Sequence, residues 1–333
     1  MIRWILSLSL LLAGSAAQAA YCTGADLRET LSAGEQAQIA QAMGETPYAA
    51  GNHWIARKGD QTIHVMGTMH LDDPRWDSVL PALLPVVQAA DLLFVEMTDE
   101  EQMAMQAALA EQPEKVFITE GPTLPELLSE EDWERLASAM RERGLPGFMA
   151  AKMQPWMQTL MLGMPGCAIA NPELAKGGLD MRLMEAARDA DVPVRSLEGF
   201  EELYALIADG TVEEQLQMLM ATLPFAHDSE DQFMTTSYFY FDEQTAAAWE
   251  FARVMSHRRS ELPPEQVEAL LEEFKTKLLD TRNHAWMDPI LSARESTIVV
   301  AVGALHLMGE DGVLNLLDQA GYRLDRAAFT GQP

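Results

Sequence analysis

The chain has 333 residues, 48% of them hydrophobic and 22% charged, so it carries the apolar mass for one large core or two modest ones and is not a disordered tail. Fifty-one acidic residues against twenty-three basic ones leave a formal net charge of -28, which repels phosphate backbones and excludes nucleic acid as the first-choice partner. Beyond the N-terminal apolar run, no segment approaches the roughly 20 uncharged residues that a membrane span requires.

That first run has the layout of an export leader. Arg3 supplies the positive end, Trp4 to Ala13 the apolar stretch, and Ala17-Gln18-Ala19 the small-x-small cleavage site. Residues 1–19 are expected to be removed, leaving 20–333 as one α/β domain. Tyr21 stands before Cys22 where a lipid-attachment signal wants a small residue, so the expectation is a soluble exported protein, periplasmic and not lipid-anchored. Cys22 and Cys167 are an even pair; in an oxidising compartment a disulfide is the first expectation and two inert thiols the alternative.

In chain order, His53 to Arg57 and Gln61 to Met66 alternate around Lys58-Gly59-Asp60 and predict a β-hairpin that runs into Gly67-Thr68-Met69-His70. Further strands are predicted at Leu92 to Met97, Pro193 to Leu197, Thr297 to Val302 and Tyr322 to Asp325. Between them the sequence is helical, with capping pairs Thr98/Glu101, Thr123/Glu126 and Thr211/Glu214. The expected fold is therefore α/β: a central mixed sheet of two pseudo-repeated halves, each a strand followed by Gly-x-x-His, with a large helical insert over about 98–290. The second copy of the repeat is Gly303-Ala304-Leu305-His306.

A strand that ends in glycine turns sharply and delivers the histidine three residues on to the C-terminal edge of the sheet, where α/β proteins bind ligands. Glu96 and Glu198 end two other predicted strands and belong near His70 and His306. A charge at the tip of an apolar run needs a partner or a metal. Two imidazoles with one or two carboxylates suit a divalent ion; the plainer alternatives are a helix-start acid for Glu96 and a loop acid for Glu198. In a helix read over Gln266 to Met287, Arg282 and Trp286 continue the apolar face, which points the guanidinium inward, either to a carboxylate or to a developing oxyanion. Asp180 reads first as a first-turn acid and otherwise as a ligand or as a residue that orients an imidazole. His64 shares pleat parity with His70 and either approaches it or packs. The stripe Met153, Met157, Met161, Met164 and the cluster Ser237 to Phe241 read as packing elements before they read as a copper site or a cleft wall.

Gly67-Thr68-Met69-His70, Glu96, Arg282-Asn283 and Gly303-Ala304-Leu305-His306, in this order, resemble the TraB/GumN family, which is similar to the Tiki metalloproteases and to erythromycin-esterase-like and ChaN-like proteins. The resemblance runs from about His53 to Tyr322. It implies a metal centre with His70, His306 and Glu96 as ligands to manganese, zinc or cobalt, with Asn283 beside it. The implied activity is metal-dependent hydrolysis of a peptide or protein. In that scheme Arg282 stabilises the oxyanion and Glu198 shuttles a proton. The alternative function is a non-catalytic periplasmic binding or regulatory protein for a peptide, haem or metal.

Overall fold

The computed structural model describes residues 21–331; the expected leader, 1–19, lies outside them. Six strands form one mixed sheet: β1 (His53–Lys58), β2 (Gln61–Thr68), β3 (Leu92–Val95), β4 (Val194–Ser196), β5 (Thr297–Gly303) and β6 (Arg323–Arg326), in the spatial order β4-β3-β5-β2-β1-β6. β4, β3, β5 and β2 run parallel, while β1 pairs antiparallel with both β2 and β6. All six strands were legible in the hydrophobic pattern.

β5 lies at the centre of the parallel part, and its alternation feeds two cores. Val299 and Ala301 pack with Leu93 and Val95 beneath the helices Trp76–Gln88 and Leu179–Asp189. Ile298, Val300 and Val302 pack with Leu92 and Phe94 beneath the helices Thr281–Ser292 and Val313–Gln319. Parallel strands covered on both faces are uninterrupted apolar runs for this reason. A third cluster, built around Leu136, Met140, Met153 and Leu162, lies in the helical insert, where Met157 and Met161 pack against it, while Met164, the last of the methionine stripe, is exposed. Thr98, Thr123 and Thr211 each cap a helix. Among the described residues no helix is long and apolar enough to cross a membrane.

Two expectations change. The helix expected to run unbroken over Gln266 to Met287 is instead the helix Pro264–Lys275, a π-helical turn Thr276–Asp280 and the helix Thr281–Ser292. Such turns recur at functional sites; here the carbonyl of Leu278, inside the turn, accepts a hydrogen bond from Arg282 Nη1 at 3.0 Å. The second change concerns His64. It shares parity with His70, but β2 ends at Thr68 before His70 is reached, and His64 Nδ1 instead meets His53 Nε2 at 3.1 Å while His53 Nδ1 bonds the Ala328 carbonyl. His64 therefore packs and takes no part in the site.

Burial, with the neighbouring His53 and Arg57, lowers the His64 pKa from 6.5 to about 4. Between these values the unfolded chain binds the extra proton, so the contribution of this pair is complete above pH 6.5 and is lost as the pH falls toward 4. Thermal melts across that window should show the midpoint falling with acidity, and His64→Gln should flatten the dependence; an unchanged slope in the variant would remove the pair as its cause.

The cysteines are joined: Cys22 and Cys167, 145 positions apart, form a disulfide.

Candidate active site

Four parallel neighbours deliver their C-terminal ends to one edge. Crossing it from β4 to β2, the side chains met are Glu198, Glu96, the turn Gly303–His306, and Thr68 with His70. Strands lie about 4.8 Å apart, so residues scattered from 68 to 306 in sequence become near neighbours. The two Gly-x-x-His copies follow adjacent parallel strands with Gly67 opposite Val302 and Thr68 opposite Gly303. Strand continues through Thr68 in the first copy, whereas Ala304–His306 is a 3₁₀ turn in the second.

Arg282, pointing inward from the helix Thr281–Ser292, is the hub. Its Nε–H donates to both oxygens of Glu198 at 3.0 Å, and one Nη2–H donates to Glu96 Oε2 at 2.6 Å. The other Nη2–H donates to Glu198 Oε1. The Nη1 protons go to the Leu278 carbonyl and to His306 Nε2, the latter at 3.2 Å. Every one of the five guanidinium N–H groups is thus engaged. Trp286 completes the wall: its Nε1–H donates to Glu198 Oε2 at 3.2 Å, its ring lies 4.5 Å from that of His306, and Arg282 stacks on it at 4.8 Å.

The cluster explains its own protonation states. Burial alone would raise the Glu96 pKa, but His306, Arg282, His70 and the Gly303 N–H, which donates to Glu96 Oε1 at 2.6 Å, hold it down to about 2. Arg282 is destabilised as a cation by burial, and Glu198 and Glu96 more than offset this, raising its pKa. Burial lowers His306 to about 4 against the pull of Glu96.

Asn283 sets the His306 tautomer. Its Nδ2 donates to the carbonyls of His306 and Asp311, which leaves Oδ1 to accept from His306 Nδ1–H at 2.7 Å and keeps the lone pair on Nε2. The ring of His70 keeps 63% of its surface open, while Nδ1 lies 3.4 Å from Asp180 Oδ1. Desolvation of the ring nitrogens alone would lower its pKa; the carboxylates of Asp180 and Glu96 lift it to about 9. The start of the helix Leu179–Asp189, which carries Asp180, and the segment before it are stitched to the His70 segment by backbone bonds: Leu179 N–H to the Met69 carbonyl at 3.0 Å and Asp72 N–H to the Leu174 carbonyl at 2.7 Å.

A cavity of about 250 Å³ opens over these groups, lined by Thr68, His70, Glu96, Tyr240, Arg282 and His306 among others. A cavity of similar size, about 260 Å³, lies elsewhere between helices, around Trp249 and Phe274, and no ionisable side chain lines it. Chemistry therefore selects the first. Tyr240, from the cluster read as packing, both packs on Trp76 and lines this cavity, its hydroxyl donating to the Gly67 carbonyl at 2.7 Å.

Residues 52–326 match the TraB/PrgY/gumN family. The chain belongs to that family. It is similar to the uncharacterized protein YbaP of Escherichia coli (strain K12), 26% identical over 276 residues, which spans 80% of this chain and 94% of that protein. The same figures hold for the uncharacterized protein YbaP of Shigella flexneri. No solved structure matches.

The residues named from sequence thus divide. His70, Glu96, His306 and Arg282 line one cavity, with Asn283 and Asp180 behind the two imidazoles. Glu198 does not line it; both its oxygens are held by Arg282 and Trp286, which makes it the counter-ion of Arg282. In the described structure each of the five Arg282 N–H groups meets an acceptor, the carboxylates of Glu198 and Glu96 among them. Among the described residues no three His, Cys, Asp or Glu side chains close to common ligand distance, because the guanidinium sits on His306 Nε2 and on Glu96. Thr68, Trp286 as a partner of Glu198, and the Gly303 N–H were not singled out from sequence. The place of Thr68 between Gly67 and His70 was the available signal.

Proposed function

We propose that this protein is an exported metal-dependent hydrolase that cleaves peptide bonds, with His70, His306 and Glu96 as the residues that would hold a divalent ion. The observation that carries the reading is the delivery of two oriented imidazoles and an ionised carboxylate to one cavity at the C-terminal edge of parallel strands. Two imidazoles and a carboxylate suit such an ion in their chemistry, although in the described arrangement they do not close on one point. A Cβ placed on Gly303 would stand 3.2 Å from Glu96 Oε1, 3.5 Å from the His306 ring and 3.8 Å from His70 Nε2, so the three groups surround a space that only glycine leaves open. The carboxylates of Glu96, Glu198 and Asp180 face one guanidinium and one imidazolium, and a divalent ion in exchange for the His70 proton neutralises the excess. Manganese, zinc and cobalt all accept these donors.

The ion would supply a water acidified for attack and a polarised carbonyl. The chain's own residues prepare the rest. Asn283 keeps the lone pair of His306 on Nε2, which an ion would take in place of Arg282 Nη1–H, and Asp180 Oδ1 lies 3.4 Å from His70 Nδ1. Arg282 fixes Glu96 and keeps it ionised, and Leu279, Ala248 and Ala304 make part of the wall apolar. In the net reaction one water is consumed: its oxygen bonds to the carbonyl carbon, the C–N bond breaks, and the amine nitrogen gains a proton. Export is supported by the leader-like residues 1–19 and by the disulfide, since such bonds persist in oxidising compartments.

The test is elemental analysis of the mature protein, purified without a polyhistidine tag, beside His70→Ala and His306→Ala, with peptide-library turnover measured on all three. About one equivalent of metal is expected, lost in both variants together with turnover while the circular dichroism spectrum persists. Turnover that survives in both variants overturns the site. Absence of metal and of hydrolysis returns the chain to the class of binding or regulatory proteins for a peptide, haem or metal.

A further inference from the structure

The apolar cavity around Trp249 and Phe274 has no part in the scheme above, yet the helices that line it run on to line the reaction cavity. On the helix Ser229–Phe241, Ser229 and Gln232 border the apolar cavity, and Thr236 and Tyr240 border the reaction cavity. Steps of three and four residues keep these side chains on one helix face. Along the helix Thr245–Arg259 the order is reversed: Thr245 and Ala248 border the reaction cavity, Trp249 and Ala252 the apolar one. The order turns again on the third segment, where Leu271 and Phe274 are followed by Leu279 and Arg282. The five-residue step from Phe274 to Leu279 enters the π-helical turn, whose i→i+5 repeat is wider than that of an α-helix. Successive helices packed in alternating directions produce this reversal, so the two cavities are successive stations of one interhelical trough.

On the first two helices the nearest residues of the two stations lie within one turn, about 6 Å, and the middles of the stations are about 10 Å apart. An extended peptide advances about 3.3 Å per residue, so about three to four residues cover that distance. The walls select what arrives there. No ionisable side chain lines the apolar cavity, and a charged side chain brought into it would be desolvated without a partner. The net charge of -28 disfavours an anionic occupant further. Its volume of about 260 Å³ exceeds the roughly 150 Å³ that holds a benzene-sized ring. Phe274 is 39% exposed and Ala252 is exposed as well, so the cavity is open to an entering chain.

We infer that the Trp249/Phe274 cavity is a substrate subsite that takes an uncharged apolar side chain, leucine or phenylalanine in size, about three to four residues from the bond being cleaved. This inference rests on the hydrolase reading.

The test uses a peptide that the wild-type, metal-loaded enzyme cleaves, with a single leucine or aspartate moved through successive positions on either side of the cut. At the third or fourth position on one side, kcat/KM should be at least about tenfold higher for leucine than for aspartate, chiefly through KM. Ala252→Trp fills the cavity from an exposed position, and Phe274→Asp puts a charge in its wall. Each should bring that ratio to within about twofold of one, at the melting temperature of the wild type. A wild-type ratio near one at every position, or one that peaks only beside the cut, overturns the inference and leaves the hydrolase reading standing. So does a ratio that neither variant changes, or a loss in the variants that is equal for leucine and aspartate peptides. A wild type that cleaves nothing overturns the hydrolase reading, and the inference falls with it.

Discussion

Replacing Arg282 with methionine is expected to cost about 3–5 kcal/mol of folding free energy, the range for breaking a buried ion network by removing one partner. The side chains of Arg282 and Glu198 keep 9% and 7% of their surface. Without the guanidinium, Glu198 and Glu96 would lie near each other as desolvated anions with no cation between them. Arg282→Lys should recover only part of the loss, since an ammonium offers three donors where five are in use and cannot grip Glu198 with a planar fork. Adding Glu96→Gln and Glu198→Gln to Arg282→Met should restore much of the stability by removing both anions. Urea unfolding of the four proteins reads this directly, and a loss below about 1 kcal/mol in Arg282→Met would show that the network is solvent-screened and not structural.

The double variant Cys22→Ser/Cys167→Ser is expected to lose about 4–5 kcal/mol by the loop-closure argument, because the bond closes a loop across 145 positions. Leu27 packs in a cluster with Ile39, Phe239 and Phe251, and its N–H donates to Thr235 Oγ1 at 2.8 Å, so the bond acts beside other contacts of the N-terminal segment. Urea unfolding with and without dithiothreitol should reproduce the loss in the wild type and show no reductant effect in the double variant. A wild type indifferent to reductant would remove the main structural support for an oxidising compartment.

Much of the fold was legible because the signals that specify it are local. The alternation of β1 and β2 and the apolar run of β5 identify strands whatever they pair with, and a threonine three residues before a glutamate caps a helix through its own neighbours. The histidine pair was legible as well, since a glycine after an apolar strand commits the next residues to the sheet edge. His64 shows the limit of such patterning: parity placed it on the same face as His70, but β2 ends at Thr68 before His70 is reached, and His64 meets His53 instead.

By itself, then, the sequence determined an α/β chain with six strands, an inward Arg282 and two strand-end glutamates close to two histidines. Only the tertiary structure decided how those charges are shared. A guanidinium has five donors in a fixed fork, and which acceptors they meet depends on strand ends that pairing brings within a few ångströms from positions 96, 198, 278 and 306. That geometry gave Glu198 to Arg282 and met each Arg282 N–H with an acceptor. It also left the hydroxyl of Thr68 buried and without a partner among the described residues.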